Sequence, residues 1–365
     1  MKDGFTLRSF ELLEQLHKQW EITLVAPSRS DESARSEPVQ VEERIITPRL
    51  DTESHLVVSG TPVVTQAILD AVSRRRPDAI LLWSLQGFSD LCDVQALPPI
   101  VLDLVDCMSL TCWKELAYLK SLRQRLSSFR ALVRVALYER RVAKRYRAVT
   151  VVGEADARVL RLVTRQSNIF MVSNGVRVQR PRSPEDQDSG SVAVFSGVME
   201  YPPNIDAAVY FATEILPLVQ RRVPTAEFWI VGRSPVQEIL ELAEIKGVRV
   251  LSDVPDMPTT LRRCRVAVAP MRQGAGVKNK VLEAWAVGLP VVMTEHASNG
   301  LAIEGRNRAL VTQSRESMVE AISWLLSDEA AASELGELAR RHVALHHGWD
   351  EIGRRFHAIL EEACA

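Results

Sequence analysis

The stretch that most narrows what this chain can fold into is residues 272–294, RQGAGVKNKVLEAWAVGLPVVMT. Gly274 and Gly276 open it as a loop, and the spacing predicts a helix over 277–287. Gly288 stands where helices tend to end, and Pro290 forbids more helix before the apolar strand 291–293. Upstream, 266–269 is another apolar strand, so the whole reads strand, glycine loop, helix, strand. A loop that feeds backbone N–H groups into the positive end of a helix is suited to phosphate. Lys278 and Lys280 fall in the first turn, where a cation is unfavourable unless an anion is bound. Asn279 and Lys280 precede Glu283 by four and three residues, which puts all three on one helical face. A solvated face with one i,i+3 pair would use the same residue types. The two apolar strands around this helix argue against it.

At 365 residues the chain can hold two domains, each with its own core. A net charge of −1 excludes a molecule that is basic overall and built for nucleic acid. The five cysteines, Cys92, Cys107, Cys112, Cys264 and Cys364, are odd in number and lack C-x-x-C spacing. They read as reduced thiols, forming neither a disulfide framework nor a zinc site. No apolar run reaches transmembrane length, and the polar N-terminus lacks a signal-peptide core. The expectation is a cytoplasmic protein.

Strands and helices alternate along both halves. In the first, helices are predicted over 7–19 and 61–76, and strands over 21–27, 44–47, 79–83, 99–105 and 148–152. A long helical region covers 113–147. In the second, strands at 192–195, 226–231, 248–251, 266–269, 291–293 and 310–312 alternate with helices at 207–221, 235–246 and 257–264. The helix at 235–246 is expected to be capped by Ser234. Helices at 315–326, 330–346 and from 349 onward close the chain. Such alternation implies α/β domains with parallel, doubly wound sheets. The expected division is a Rossmann-like domain over 1–173, a linker over 174–191 and a second Rossmann-like domain over 192–348. A terminal helix, 349–365, is expected to pack back toward the first domain. A doubly wound domain normally opens with a strand, whereas this one opens with a helix. The N-terminal domain is therefore expected to lack its first strand, through a misplaced start or, as the second alternative, a real truncation.

Residues 195–204 (FSGVMEYPPN), 230–232 (IVG), 266–270 (VAVAP) and 276–292 resemble the second half of glycosyltransferase family 4. The likeness is to its branch of sugar transferases associated with exopolysaccharide assembly, and 172–176 (VSNGV) is similar to that family's interdomain segment. The resemblance implies a GT-B fold of two facing Rossmann-like domains, the first holding an acceptor and the second a nucleotide-sugar donor. It implies that Glu283 binds the donor ribose; Gly274, Gly276 and Asn279, at the loop and helix start, are expected around the donor, and Gly197 reads equally as a glycine that lets phosphate approach or as a turn glycine. A carboxylate accepting two vicinal hydroxyls suits that task. The family commonly places another glutamate eight residues earlier, where this chain has Ala275. It also often has Arg and Lys in the loop that here runs over 197–204 and contains neither. Neutralising the diphosphate then falls to Lys278 and Lys280, expected to serve catalysis in retaining transfer without a metal or cofactor. Asp103 and Asp106 are the acid/base candidates of the first domain.

Other residues carry plainer readings. Asn204 reads as an N-cap for a helix from Ile205, His296 as a solvated loop residue, and Trp285 as core. His342, His346 and His347 read as a surface helix end. The region 113–147 holds eleven Lys and Arg against two acids, with Leu122, Leu126, Phe129, Val133 and Leu137 at helical spacing. That pattern fits either an anionic membrane surface or a core stripe with a solvated basic back. Rival functions are a nucleotide-sugar epimerase and a non-catalytic nucleotide-sugar-binding protein.

Overall fold

The structure, a computed structural model, describes residues 4–27, 44–47, 62–83, 91, 94–116, 121–180, 190–274, 277–301, 303 and 310–365. Ala275, Gly276, Cys92, Lys120 and residues 181–189 of the expected linker lie outside the described residues. The chain divides into two compact units, Met1–Ser173 with Ile352–Ala365, and Asn174–Glu351.

The first unit opens with α1 (Gly4–Leu16), whose Leu12 and Leu16 are buried. Its strands form two parallel sheets. One pairs β1 (Leu24–Pro27) with β2 (Arg44–Thr47), and α2 (Pro62–Arg75) packs against both. The other has the order β3 (Ile80–Trp83), β4 (Ile100–Val105), β5 (Ala148–Val151), β6 (Ile169–Met171). Continuous apolar runs suit strands covered on both faces, and β5 is buried along its whole length. The helical region expected over 113–147 is two helices, α3 (Met108–Leu116) and α4 (Leu122–Arg145). Between β5 and β6 lies α5 (Glu154–Thr164), an element not foreseen from the sequence. The terminal helix α14 (Trp349–Cys364) joins this unit from Ile352 onward, burying Ile352 and Phe356. On α14, His357 Nδ1 accepts a 2.7 Å hydrogen bond from Trp20 Nε1.

The second unit is one open parallel sheet of six strands. Its order is β12 (Val311–Thr312), β11 (Val291–Thr294), β10 (Val266–Ala269), β7 (Val192–Val198), β8 (Glu227–Arg233), β9 (Val248–Ser252). The chain order reverses at β7 and β10. That is the switch point outside which ligands bind in open α/β sheets. Between β7 and β8 the expected single helix is three segments: α6 (Pro202–Tyr210), a π turn (Phe211–Ile215) and α7 (Leu216–Arg222). Pro217 has no N–H to give back to the preceding turn, and the widened turn falls immediately before it. Ser234 is not the expected cap. It has a positive φ of 52°, and α8 (Gln237–Glu241) starts after Val236, ending in a short 3-10 turn. α9 (Met257–Arg262) leads to β10, and α10 (Asn279–Ala286) to β11. The short α11 (Glu295–Ser298) follows β11, and α12 (Arg315–Ser327) and α13 (Glu329–His346) complete the unit.

Trp285 is 2% exposed, as its place on α10 implied, and His342 meets its ring edge-on at 5.9 Å. His347, read as part of a surface helix end, is instead buried.

Candidate functional site

The site grows from the carboxyl ends of β7 and β10 and the start of α10, all within the second unit. β7 and β8 run in register with Gly197 opposite Gly232. A Cβ at Gly232 would come within 1.7 Å of the Gly197 carbonyl oxygen, so only glycine lets the strands approach there. A Cβ at Gly197 would lie 2.7 Å from Asn204 Nδ2 and 3.1 Å from Lys280 Nζ. Gly197 thus leaves the room that these two side chains occupy.

Asn204 is not the N-cap expected of it. α6 begins at Pro202 with Tyr201 at the cap, which places Asn204 inside the first turn, buried. Its Nδ2 donates to the Val198 carbonyl (2.8 Å), and its Oδ1 accepts from Lys280 Nζ (2.8 Å). The Lys280 nitrogen also sits 3.8 Å from the centre of the Phe195 ring and 3.9 Å from Met271 Sδ. These neighbours hydrate a cation poorly. Burial, helped by Lys278, pulls the Lys280 pKa down to about 7 against the opposing pull of Glu283. Burial pushes the Glu283 carboxyl up, with Lys280 opposing. No hydrogen bond reaches that carboxyl from any described residue, so it keeps its acceptor capacity for a ligand. Perturbed ionisable groups gathered at a strand end are a mark of functional sites.

Lys278 stands just before α10, at the N-cap rather than within the first turn. Its buried side chain folds back so that Nζ donates to the Gly274 carbonyl (3.1 Å). His296, read as solvated, bonds the same carbonyl through Nε2 (2.7 Å), which makes that nitrogen the donor. Gly274 has φ of 104°, a conformation that glycine adopts at little cost. Thr294 Oγ1 donates to the Met271 carbonyl (2.6 Å), and Arg272 pairs with Asp206 on α6. The loop entering α10 is therefore held from both flanks. Asn279, the first residue of α10, accepts at Oδ1 from Asn174 Nδ2 (2.9 Å). The structure brings together Lys278, Lys280, Glu283, Gly274 and Gly197, while Gly276 lies outside the described residues. Asn204, His296 and Phe195 join them unforeseen. Asn204 carried no local signal for this place, because its partner Lys280 is 76 residues away.

In the first unit, the Asp103 carboxylate is buried and taken up by polar partners. Its carboxylate takes a two-point contact from Arg8, at 2.8 and 3.0 Å, and a 2.7 Å bond from Thr150 Oγ1. Beyond β4 lies a second buried cluster. Cys107 N–H donates to Asp156 (3.0 Å), and Ser109 N–H donates to Glu139 (3.3 Å). Burial and then Glu139 push the Cys107 thiol up to about 12. Cys107 is accordingly expected to resist iodoacetamide at pH 8 in the folded protein and to react after denaturation. Labelling of the native protein at the rate of a free thiol, read by mass spectrometry, would contradict this burial. Among the described residues, no helix is long and apolar enough to cross a membrane.

Two open parallel-sheet α/β units, with the site at the switch point of the second, define the GT-B fold. Structural comparison agrees. The crystal structure of Anabaena Alr3699/HepE in complex with UDP and glucose superposes with a TM-score of 0.65 at 14% identity, over 99% of this chain and 96% of that one. WaaG, a glycosyltransferase involved in lipopolysaccharide biosynthesis, gives 0.66 at 14% identity, over 98% and 96%. TarM, which another of its structures identifies as from S. aureus, gives 0.62 at 16% identity over 82% of this chain. The chain spans 58% of the length of TarM. No curated protein sequence matches. Residues 190–328, which hold the whole site, match the family of glycosyl transferases group 1. The second unit thus carries a glycosyl transferase group 1 domain.

Proposed function

We propose that this chain is a retaining glycosyltransferase of family 4 that moves a sugar from a nucleotide-sugar donor to a glycan or lipid-linked acceptor. The observation that carries the reading is the Lys280–Glu283 pair, half-buried at the switch point inside the matched domain. In this reading the Glu283 carboxylate accepts the ribose hydroxyls. Lys280, Lys278 and the N–H groups at the start of α10 meet the diphosphate as it departs, with no metal required. Cations and donors already in place where charge develops are the largest single contribution such a site can make. The donor is UDP- or GDP-linked. That HepE was crystallised with UDP and glucose favours the first. The exopolysaccharide branch gives the product class, a cell-surface polysaccharide assembled at the inner face of the membrane. The basic region 113–147 supplies the contact with that surface.

Glu283→Gln keeps the size of the side chain and removes its charge. Calorimetric titration with UDP- and GDP-sugars is expected to show tight binding of one donor class by the native chain. Binding by the variant is expected to be weaker by about 10- to 100-fold, the usual size of a lost hydrogen bond to a charged group. Native protein that binds neither class, or a variant that binds equally well, refutes the assignment. Product analysis without acceptor separates transfer from epimerisation, since an epimerase would return an isomerised donor.

A further inference from the structure

Helix α4 presents two apolar stripes. One is formed by Val135, Val142 and Ala143, all buried in the core of the first unit, with Glu139 beside them. The other follows Leu126, Phe129, Val133 and Leu137 at steps of three and four residues, a single line along the opposite side of the helix. These four are 55%, 50%, 42% and 62% exposed. The outward line is therefore not a core stripe. A continuous exposed ridge of large apolar side chains marks a surface that meets something apolar.

The charges around it say what. α4 carries eight Lys and Arg and one acid, Glu139, which is buried. Among the described residues, Arg130 and Arg134, beside the ridge, pair with no acid. The whole chain is nearly neutral at −1, so this positive charge is a local excess on α4. A nucleic acid would match the arginines but offers the apolar ridge nothing. A second copy packed about a two-fold axis would match the ridge but bring arginines against arginines. A bilayer with anionic headgroups matches both, because acyl chains lie just beneath the phosphate layer.

We infer that α4 lies in the plane of an anionic membrane surface, with Leu126, Phe129, Val133 and Leu137 inserted and Arg130 and Arg134 on lipid phosphates. The inference rests on the membrane contact proposed above and names the residues that make it. It is independent of donor chemistry, which belongs to the other unit.

The full chain is to be sedimented with sucrose-loaded vesicles of phosphatidylcholine alone or with 30% phosphatidylglycerol, about 0.1 M salt. Binding is expected only to the mixed vesicles and is expected to fall steeply at 0.5 M salt. Each arginine removed in Arg130→Gln/Arg134→Gln is expected to weaken binding about fivefold. Phe129→Ser/Leu137→Ser should weaken it at least tenfold while keeping the charge. All four positions are exposed, so melting temperature and donor affinity should match the native chain; the arginine pair gives a second reading if the serine pair melts early. Native protein that ignores mixed vesicles overturns the membrane contact itself. Vesicle binding that both pairs leave intact overturns only the role of α4. Self-association or RNA binding lost in the serine pair, with vesicle binding unchanged, assigns the ridge to that partner instead.

Discussion

Lys280→Met is expected to lower glycosyl transfer by about 10²- to 10³-fold, the usual cost of removing one preorganised donor from a developing charge. It is also expected to abolish proton uptake on donor binding, which is the more diagnostic result. In the free protein, burial holds the Lys280 pKa down to about 7. Above that pH the amine is largely neutral, and the hydrogen bond to Asn204 and the contact with Phe195 remain available to it. A diphosphate entering beside it favours the ammonium form and raises the pKa again. Binding near pH 8 must then draw a proton from solvent, so the heat of titration will depend on the ionisation enthalpy of the buffer. Apparent donor affinity should fall by up to about tenfold per pH unit as the pH rises above 7, until the pKa of the bound state is passed. The facing charges are Glu283, which opposes the depression, and Lys278, which adds to it. Folding responds with the opposite sign. An unfolded lysine keeps its proton to about 10.5, so between 7 and 10.5 the unfolded chain binds more protons and this group adds stability as pH rises. Titrations of native and Lys280→Met protein in phosphate-free buffers of contrasting ionisation enthalpy test the assignment. Proton uptake that survives in the variant, or unimpaired turnover, removes Lys280 from the diphosphate.

What could be read in the sequence follows from how far apart the interacting residues lie. The unit from β10 through α10 to β11 was legible almost residue by residue because its signals are local. Two apolar runs bracket it, Gly288 ends the helix, and Pro290 prevents continuation. Lys280 and Glu283 were legible for the same reason, since three residues on a helix fix a shared face. Asn204 was not, because its partner is 76 residues away, and a polar residue after two prolines has the look of a cap. His296 was missed because its bond is to a backbone carbonyl, which leaves no trace in side-chain patterns. The region 113–147 was open to two readings. Its helical periodicity was real, but α4 has two apolar stripes, and composition alone cannot say which one the core takes. The first unit was less legible than the second: α5 and β6 passed unnoticed, because α5 ends on Arg165 rather than on a Gly or Pro and β6 is only three residues long.

Arg8→Met is expected to destabilise the first unit by about 3–5 kcal/mol, the usual cost of breaking a buried ion pair from one side. Arg8 is 1% exposed and Asp103 is fully buried. The guanidinium also donates to the carbonyls of Ser173 (2.9 Å) and Val172 (3.0 Å), tying α1 to β4 and to the segment after β6. Truncation leaves a buried carboxylate without its cation and removes one donor from each of two carbonyls. For a unit of this size the loss corresponds to a drop in its melting temperature of roughly 6–20 °C. Arg8→Met combined with Asp103→Leu should recover much of it, because replacing both partners with apolar groups leaves no buried charge behind. This series also separates a packing role from a chemical one. Asp103 lies two residues before the carboxyl end of β4, near where an acceptor-side base could stand, and position alone does not distinguish the two roles. If it packs, Asp103→Asn lowers the melting temperature while donor affinity, set in the other unit, is unchanged. Turnover by the folded fraction then also persists. If it is a base, turnover collapses at an unaltered melting temperature. The two-point contact with Arg8 and the bond from Thr150 occupy the carboxylate that a base would need free, which favours the first outcome.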